Sequence, residues 1–227
     1  MKRFWTDVSI VEVEGGYGVM LDERPLKTPA RVPLAVPSLA LADAIAAEWE
    51  AAGATVDPRA MPMTGLANAA IDRGGKELVA GIVRYAESDQ FCYRADGPTP
   101  LVERQAEAWD GLLGWARRRF DVDFTCCSGI IHVAQPPETI RKLGHEVAIL
   151  DRFRLAALSP LVTIGGSLVA GLAVLEKAIP PEAAWEAVSL DERWQLEKWG
   201  SDAEAEAALD AKRRDFLAAA RFLEFLD

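Results

Sequence analysis

The residues that most often carry out chemistry in proteins are few in this sequence, and their spacing does not form a known site. His132 and His145 are its only histidines, and neither has a cysteine, histidine or carboxylate at metal-ligand spacing. Ser167 lies in GGSLV, which lacks the final glycine of the GxSxG motif, so we expect it to be a packing residue within a helix. GGYG is followed by neither a helix nor GKS or GKT, which predicts a hairpin turn. We therefore expect no metal, no cofactor and no catalytic residue.

The three cysteines, Cys92, Cys126 and Cys127, form neither an even disulfide set nor a CxxC pair. This pattern is typical of buried thiols in a reducing compartment, where disulfides are rare. The first residues, MKRF, are not followed by the apolar region of a signal peptide or by an Arg- and Ser-rich leader. We expect the protein to remain in the compartment where it is made.

Acidic residues are concentrated near the C terminus of a chain whose net charge is −10. Between residues 182 and 206, eight acids against Arg193 and Lys198 give a charge of −6. The same segment contains three tryptophans, a residue type enriched in binding hot spots: Trp185, Trp194 and Trp199. Such a surface repels nucleic acid and anionic lipid and speeds encounter with a basic protein patch. A helix face that is merely solvated would carry the same charges.

A second interpretation of this acidic segment is a small-molecule enzyme that uses the carboxylates around Glu192. General acid catalysis usually needs a carboxyl group in an apolar pocket, where its pKa is raised. The sequence contains many carboxylates but cannot show whether one lies in such a pocket, so the enzyme interpretation has no anchor and an interaction surface is the better prediction.

Turn residues and alternating hydrophobicity predict the elements of the N-terminal part. From Phe4 to Pro37, a period of two predicts an antiparallel sheet that begins with a hairpin of Val8 to Val13 and Tyr17 to Leu21. Short strands are expected at Pro25 to Thr28 and at Val32 to Val36, because their prolines suit strand ends and sheet edges.

Two helices should follow this sheet. Ser38 is a favoured N-cap for a helix that runs to about Ala52 and buries Trp49. Pro62 opens a second helix that stops at the glycine pair 74–75. We expect a domain boundary at this pair.

The predicted fold class is α+β, with a small antiparallel-sheet N-terminal domain (residues 1–75) followed by a mainly helical C-terminal domain (residues 76–227). The second domain should begin with helices at Lys76–Ala86 and Thr99–Phe120, a strand at Phe91–Arg94 and two short strands within Val122–Val133.

The most apolar segment, Leu161 to Ile179, is predicted to be one central helix, with Pro160 at its start and Pro180 at its end. Its uncharged part, Leu161 to Leu175, would span roughly 22 Å, which is short of the ~30 Å of a bilayer core. We therefore expect a buried helix and no membrane insertion.

Further helices should surround this central one. A partner helix is predicted from the proline pair 136–137 to Ala157, because its apolar residues follow three-four spacing. SLDE from Ser189 and SDAE from Ser201 match the capping box, and Gly200 lies where a glycine ends the preceding helix.

Motifs along the whole chain resemble a known family. In order, they are RFWTDVSI, GYGVMLDERPLKTPARVPLAVPS, LADAIAAEWEA, DPRAMPMTGLANAAID, DQFCYRAD and SLDERWQLEKWGSDAEAEA. They resemble the ATP synthase assembly chaperones that protect the alpha subunit of the catalytic head, called assembly factor 2 in mitochondria. The resemblance implies a non-enzymatic protein that holds the alpha subunit until beta subunits displace it, without using ATP.

The resemblance also implies site residues. The functionally important acid of the family lies in the stretch matched by SLDERWQ, where Asp191 and Glu192 both qualify. To these two acids we add three residues of the acidic and aromatic segment. The expected partner-binding set is therefore Asp191, Glu192, Trp194, Glu197 and Asp202. Trp49 matches the tryptophan of the family's EW motif, for which a structural role is expected. The chain is similar to bacterial members, so a cytoplasmic monomer that binds no nucleic acid is expected.

Overall fold

A computed structural model of the chain describes residues 2–73, 75–129, 131–200 and 203–227. Antiparallel strands lie near the N terminus and the remainder is mainly helical, which confirms the predicted α+β class. The chain forms two compact units. Unit one comprises Met1–Gly75, Asp151–Ala157 and Ala218–Asp227, and unit two comprises Lys76–Leu150 and Leu158–Leu217.

The strands of unit one form a four-stranded sheet among the described residues. They are β1 (Val8–Val13), β2 (Gly16–Leu21), β3 (Arg24–Pro25) and β4 (Ala35–Val36). Strand β2 pairs antiparallel with each of the other three. Val13 pairs with Gly16, so the predicted hairpin is confirmed. The strands expected after it are shorter than predicted, with two residues each and an isolated bridge between Lys27 and Pro33.

The turn of this hairpin depends on one glycine. Gly16 has φ +136°, and a Cβ at this position would lie 2.0 Å from the carbonyl oxygen of Val36 on β4. A side chain is therefore excluded both by backbone conformation and by contact. Gly15, with φ +88°, has no heavy atom within 4 Å of a Cβ built there.

Helices α1 (Leu39–Glu50) and α2 (Pro62–Asp72) complete the N-terminal part, with a short 3₁₀ turn at Pro58–Ala60 between them. Ser38 caps α1 as predicted, because its side chain accepts the N–H of Leu41 at 3.1 Å. Trp49 is 6% exposed, and its Nε1 donates to Oγ1 of Thr64 on α2 at 3.2 Å. Its ring meets Trp5 with 5.0 Å between centroids. Burial of Trp49, which the helix stripe predicts, is confirmed.

The N terminus of α2 is capped by a residue of α1. The Glu48 carboxylate accepts the N–H groups of Met63 at 2.7 Å and Thr64 at 2.8 Å. Burial raises the pKa of Glu48, and its hydrogen bonds from Thr64 and Met63 oppose that shift. A carboxylate at a helix N terminus is stabilised by the helix dipole.

Unit two contains most of the helices. Its elements are α3 (Lys76–Glu87), a 3₁₀ turn (Gln90–Cys92), β5 (Tyr93–Arg94), α4 (Thr99–Phe120), β6 (Cys127–Ser128), α5 (Pro137–Ala148), α7 (Leu168–Leu175), α8 (Pro181–Val188) and α9 (Leu190–Trp199). Two further helices have residues in both units: α6 (Arg152–Gly165) and α10 (Ala203–Glu224). Helix α7 packs against α3, α4 and α8.

Two predictions for this region are wrong. Among residues 122–129 and 131–133 one strand forms, β6, where two were expected. The helix expected up to Ala157 ends at Ala148, because the Asp151 carboxylate accepts the N–H groups of Phe153 and Arg154 and so begins α6. An aspartate with this pattern is a favoured N-cap, which stops one helix and starts the next.

The predicted central helix, Leu161 to Ile179, is also wrong as a single helix. Pro160 lies inside α6, and the chain breaks at Gly166, which has φ +66°. Ser167 then caps α7 by accepting the N–H of Ala170 at 3.0 Å, so it is more than a packing residue. Asp89, which is buried, completes this cap by accepting bonds from Ser167 Oγ and Val169 N, both at 3.0 Å.

Candidate functional site

Helix α9 carries most of the residues that the sequence singles out for binding. Its start does not form the predicted capping box: Ser189 has φ −93° and ψ 7°, and its Oγ donates to the carbonyl of Trp185 at 2.7 Å. Glu192 instead pairs with Lys212 of α10. Gly200, with φ +86°, ends α9 as predicted. The second capping box and Asp202 lie outside the described residues.

Asp191 is held in place by a buried glutamine. Its Oδ1 accepts a hydrogen bond from Nε2 of Gln105 on α4 at 2.8 Å. Gln105 is 2% exposed, and its Oε1 accepts the N–H of Ala95 at 2.8 Å. Asp191 itself is half-buried. Its carboxylate is thus oriented by the fold while part of it remains accessible to solvent.

Three other acids of this region are surface ion-pair partners. Glu197 meets Arg104 at 2.8 Å, Glu192 meets Lys212, and Glu186 meets Arg193. The side chains of these three acids are about half exposed. Pairs of this kind contribute ~0–1 kcal/mol each to the free energy of unfolding. A basic group on another protein could therefore replace the intramolecular partner at little cost in stability.

The three tryptophans of the segment have different surroundings. Trp185 is buried and packs on Phe216, with 5.6 Å between ring centroids. Trp194 is 6% exposed, and two cations lie over its ring: Arg104 at 4.8 Å and Lys198 at 4.6 Å. At this point the surface presents positive charge and little of the aromatic ring.

Trp199 is 78% exposed and was not among the predicted site residues. Helix geometry provides the signal that would have found it. Five residues turn a helix by about 140° beyond one full turn, so Trp194 and Trp199 cannot share one buried face. A large exposed apolar side chain beside acids is typical of a binding surface.

A cleft lies on each side of α9. One, of about 270 Å³, is lined by Arg104, Glu186, Leu190, Arg193 and Glu197 among others. The second, of about 190 Å³, is lined by residues of α9 and α10, including Glu192, Leu196, Leu209 and Lys212. Both combine charged groups with apolar side chains, a mixture suited to side chains of a protein partner.

The buried acid Asp89 serves as part of the cap of α7. Burial raises the pKa of Asp89 to about 6, against opposing hydrogen bonds from Val169, Ser167 and Phe91. Both of its oxygens accept hydrogen bonds: one from Phe91, and the other from Ser167 and Val169 at the N terminus of α7. Within the described ranges, no group of three or more His, Cys, Asp or Glu side chains could hold a metal ion.

Among the described residues, none of the helices has the length and apolar character needed to cross a membrane.

The family model described as ATP12 chaperone protein matches residues 2–117. The chain belongs to the ATP12 family. Members of this family are chaperones for ATP synthase assembly. Protein atp12, mitochondrial, of Schizosaccharomyces pombe is 27% identical over 215 residues, which cover 88% of this chain and 74% of the yeast protein.

Solved structures of bacterial proteins show the same fold. The crystal structure of Atp12 from Paracoccus denitrificans has a TM-score of 0.93 and 43% sequence identity, covering 100% of this chain and 98% of that chain. An aspartate-to-lysine mutant of the same protein has a TM-score of 0.93 and 42% identity, with the same coverage. The Atu1473 protein of Agrobacterium tumefaciens has a TM-score of 0.93 and 38% identity, and the match covers 100% of this chain and 86% of that chain.

Proposed function

We propose that this ATP12-family chaperone binds the free alpha subunit of the ATP synthase catalytic head and keeps it from aggregating until beta subunits displace it. The binding surface we assign comprises Asp191, Glu192, Trp194 and Glu197, to which we add Trp199. Asp202, outside the described residues, belongs to the same proposal. The observation that carries it is the exposed face of α9, where acids in weak ion pairs lie beside an exposed tryptophan and between two clefts.

The physical need for such a chaperone follows from subunit assembly. A subunit meant to lie between neighbours exposes an apolar surface while it is free, and such a surface promotes aggregation. A protein that covers this surface reversibly must bind it less strongly than the final neighbours do. Exposed ion pairs suit this requirement, because each adds little affinity while complementary charge speeds encounter.

Charge exchange is the mechanism we assign to α9. Glu192 and Glu197 would release Lys212 and Arg104 and accept basic groups of the alpha subunit. Release of Arg104 also uncovers one face of the Trp194 ring, which then becomes available for contact. Asp191 keeps its bond to Gln105 and presents its remaining lone pairs.

Aggregation of the alpha subunit tests the proposal. Alpha subunit diluted from denaturant should scatter less light when the wild-type protein is present, and Glu192→Lys should suppress scattering less well. Glu12→Lys, which makes the same charge change at an exposed position of β1, is the matched control and should act as wild type does. Higher salt should slow wild-type binding, since exposed charges are screened beyond ~8 Å at physiological ionic strength.

Deletion of the gene gives a second test in the cell. Cells without the protein should contain less assembled ATP synthase and more aggregated alpha subunit. Normal assembly in the deletion strain would overturn the proposed function. The cytoplasm is the proposed place of action for a bacterial member, and a monomer is the proposed working form.

The alternative of a small-molecule enzyme around Glu192 gains no support from these contacts. Glu186, Glu192 and Glu197 are exposed and paired with cations, whereas an acid catalyst would need an apolar pocket. An assembly chaperone needs no catalytic group of its own.

A further inference from the structure

Two cysteines face each other at the start of a parallel strand pair in unit two. Strands β5 and β6 pair Tyr93 with Cys127 and Arg94 with Ser128. Cys92 and Cys126 each precede one of these paired residues, and neighbouring strands lie about 5 Å apart. Cys92 ends the 3₁₀ turn and Cys126 directly precedes β6, so the register sets these two residues opposite each other, whereas Cys127 is opposite Tyr93.

The two residues are neighbours in this register. Burial raises the pKa of Cys92, and the neighbouring Asp89 and Cys126 raise it further. A disulfide needs Cα atoms about 4.4–6.8 Å apart and Cβ atoms that point towards each other. Opposed residues of neighbouring segments lie about 5 Å apart, which meets the first requirement. The adjacent residues Cys126 and Cys127 do not meet the second, because successive side chains on a strand diverge.

The three thiols also differ in access, and the expectation of buried thiols is wrong for Cys126. Cys126 is exposed, whereas Cys92 is 0% exposed. Cys127 is half-buried, and its thiol donates to the carbonyl of Ile131 at 3.6 Å. An oxidant in solution would therefore meet Cys126 first, and the only buried thiol in position to attack the modified sulfur belongs to Cys92.

We propose that Cys92 and Cys126 form a reversible intramolecular disulfide when the protein meets a low-molecular-weight disulfide such as oxidised glutathione. The Cys126 thiolate attacks the oxidant, forms a mixed disulfide and releases one glutathione thiolate. Cys92 then attacks the Cys126 sulfur and passes its proton to the departing glutathione thiolate, which leaves as the second glutathione. Two S–H bonds are replaced by one S–S bond, and the oxidant is reduced to two thiols.

The bond would join β6 to a segment that supports several other elements. Two residues before Cys92, the backbone N–H of Gln90 donates to the carbonyl of Gly166 at 2.9 Å, and its side-chain Nε2 donates to the carbonyl of Val188 at 2.9 Å. Asp89 caps α7. Oxidation therefore ties the segment around Cys126 to the connections of α7 and α8, and the melting temperature of unit two should rise.

Thiol counting and peptide mapping on the full-length protein test this inference. Reduced wild-type protein treated with oxidised glutathione should lose two of its three thiols, with a mass lower by two hydrogen atoms. Proteolysis without reductant should yield a peptide containing Cys92 joined to one containing Cys126, and a dithiol reductant should restore all three thiols. Cys127→Ser should behave as wild type does, whereas Cys126→Ser should form no intramolecular bond.

Three outcomes would overturn the proposal: a Cys126–Cys127 bond, a glutathione adduct that persists on Cys126, or a disulfide between two copies of the chain. The wild-type peptide map and the mass of the undigested protein together distinguish all three, and neither depends on whether Cys92→Ser folds. None of these measurements requires the alpha subunit, so the result is independent of the proposed function.

Discussion

The hydrogen bond between Asp191 and Gln105 allows the structural role of one acid to be separated from its charge. Asp191→Ala removes the acceptor of the Gln105 Nε2 group, and Gln105 is 2% exposed. A buried donor left without an acceptor costs about 1–3 kcal/mol of unfolding free energy. For a chain of this length each kcal/mol shifts the melting temperature by about 2–4 °C, so we expect a decrease of roughly 2–12 °C.

Two matched variants complete the experiment. Asp191→Asn keeps an oxygen that can accept the Gln105 bond and removes the charge, so it should melt within about 2 °C of wild type. Glu192→Lys breaks an exposed pair with Lys212, which is worth ~0–1 kcal/mol, so it should also fold normally. If the charge of Asp191 meets the alpha subunit, Asp191→Asn should protect that subunit poorly despite its normal stability.

The measurements are thermal melting followed by circular dichroism and light scattering of the alpha subunit. Wild-type melting of Asp191→Ala would show that the Gln105 bond adds nothing to stability, and the reasoning would be refuted. Full protection by both Asp191→Asn and Glu192→Lys would remove these acids from the binding surface, even if the family's function is correct.

Three further predictions concern the fold. Trp49→Ala should lower the unfolding free energy by ~3–5 kcal/mol, because it leaves a cavity in the core. Trp49→Arg should lower it more, because it buries an unpaired charge. An unchanged melting temperature of the arginine variant would place the residue on the surface. Gly16→Ala should destabilise the hairpin far more than Gly15→Ala, since only the former meets a backbone carbonyl, at 2.0 Å, and equal melting temperatures would contradict this. Because burial raises the pKa of Asp89 to about 6 from 3.8, the folded protein holds a proton that the unfolded chain has released between these values. Stability should therefore fall by up to about 3 kcal/mol as pH rises through this window, and urea titrations of Asp89→Asn should lack that slope; the same slope in both proteins would disprove it.

Elements fixed by neighbouring residues were predicted well from the sequence. Helix α4 has the predicted bounds, Thr99–Phe120, because its buried stripe has helical spacing and Pro100 lies in its first turn. The hairpin of β1 and β2 was predicted because alternation and a glycine turn are local signals. The cap at Ser38 is equally local.

Elements that depend on distant residues were not predicted. The apolar run from Leu161 continues through Gly166 without a charged residue, so hydrophobicity alone predicts a single helix. The break depends on Asp89, which lies far away in the sequence and caps α7. A local signal for this break was present in the sequence GGS at residues 165–167, since a glycine can end one helix and a following serine can cap the next.

The candidate site shows the same limit. The sequence places acids and tryptophans in one segment, but it cannot show that Asp191 meets Gln105 or that Glu197 meets Arg104, because these partners lie on α4. The sequence also matches a capping box at Ser189 that does not form. Ser189 Oγ donates to the carbonyl of Trp185, and Glu192 pairs with Lys212. Motifs describe only the residues within them.

The composition of unit one has a consequence for how the protein is made. Residues 1–75 share this unit with 151–157 and 218–227: Ser38 at the start of α1 donates to the carbonyl of Phe225, and Arg154 meets Asp227 at 3.0 Å. At ~5–20 residues per second, the ribosome needs roughly 8 to 30 s to add the residues that follow Gly75. Until residues 218–227 are made, the nascent sheet and α1 lack the contacts with that segment that complete their unit. A chain that stops before residue 218 would therefore damage the unit that contains residues 1–75, as well as shorten α10.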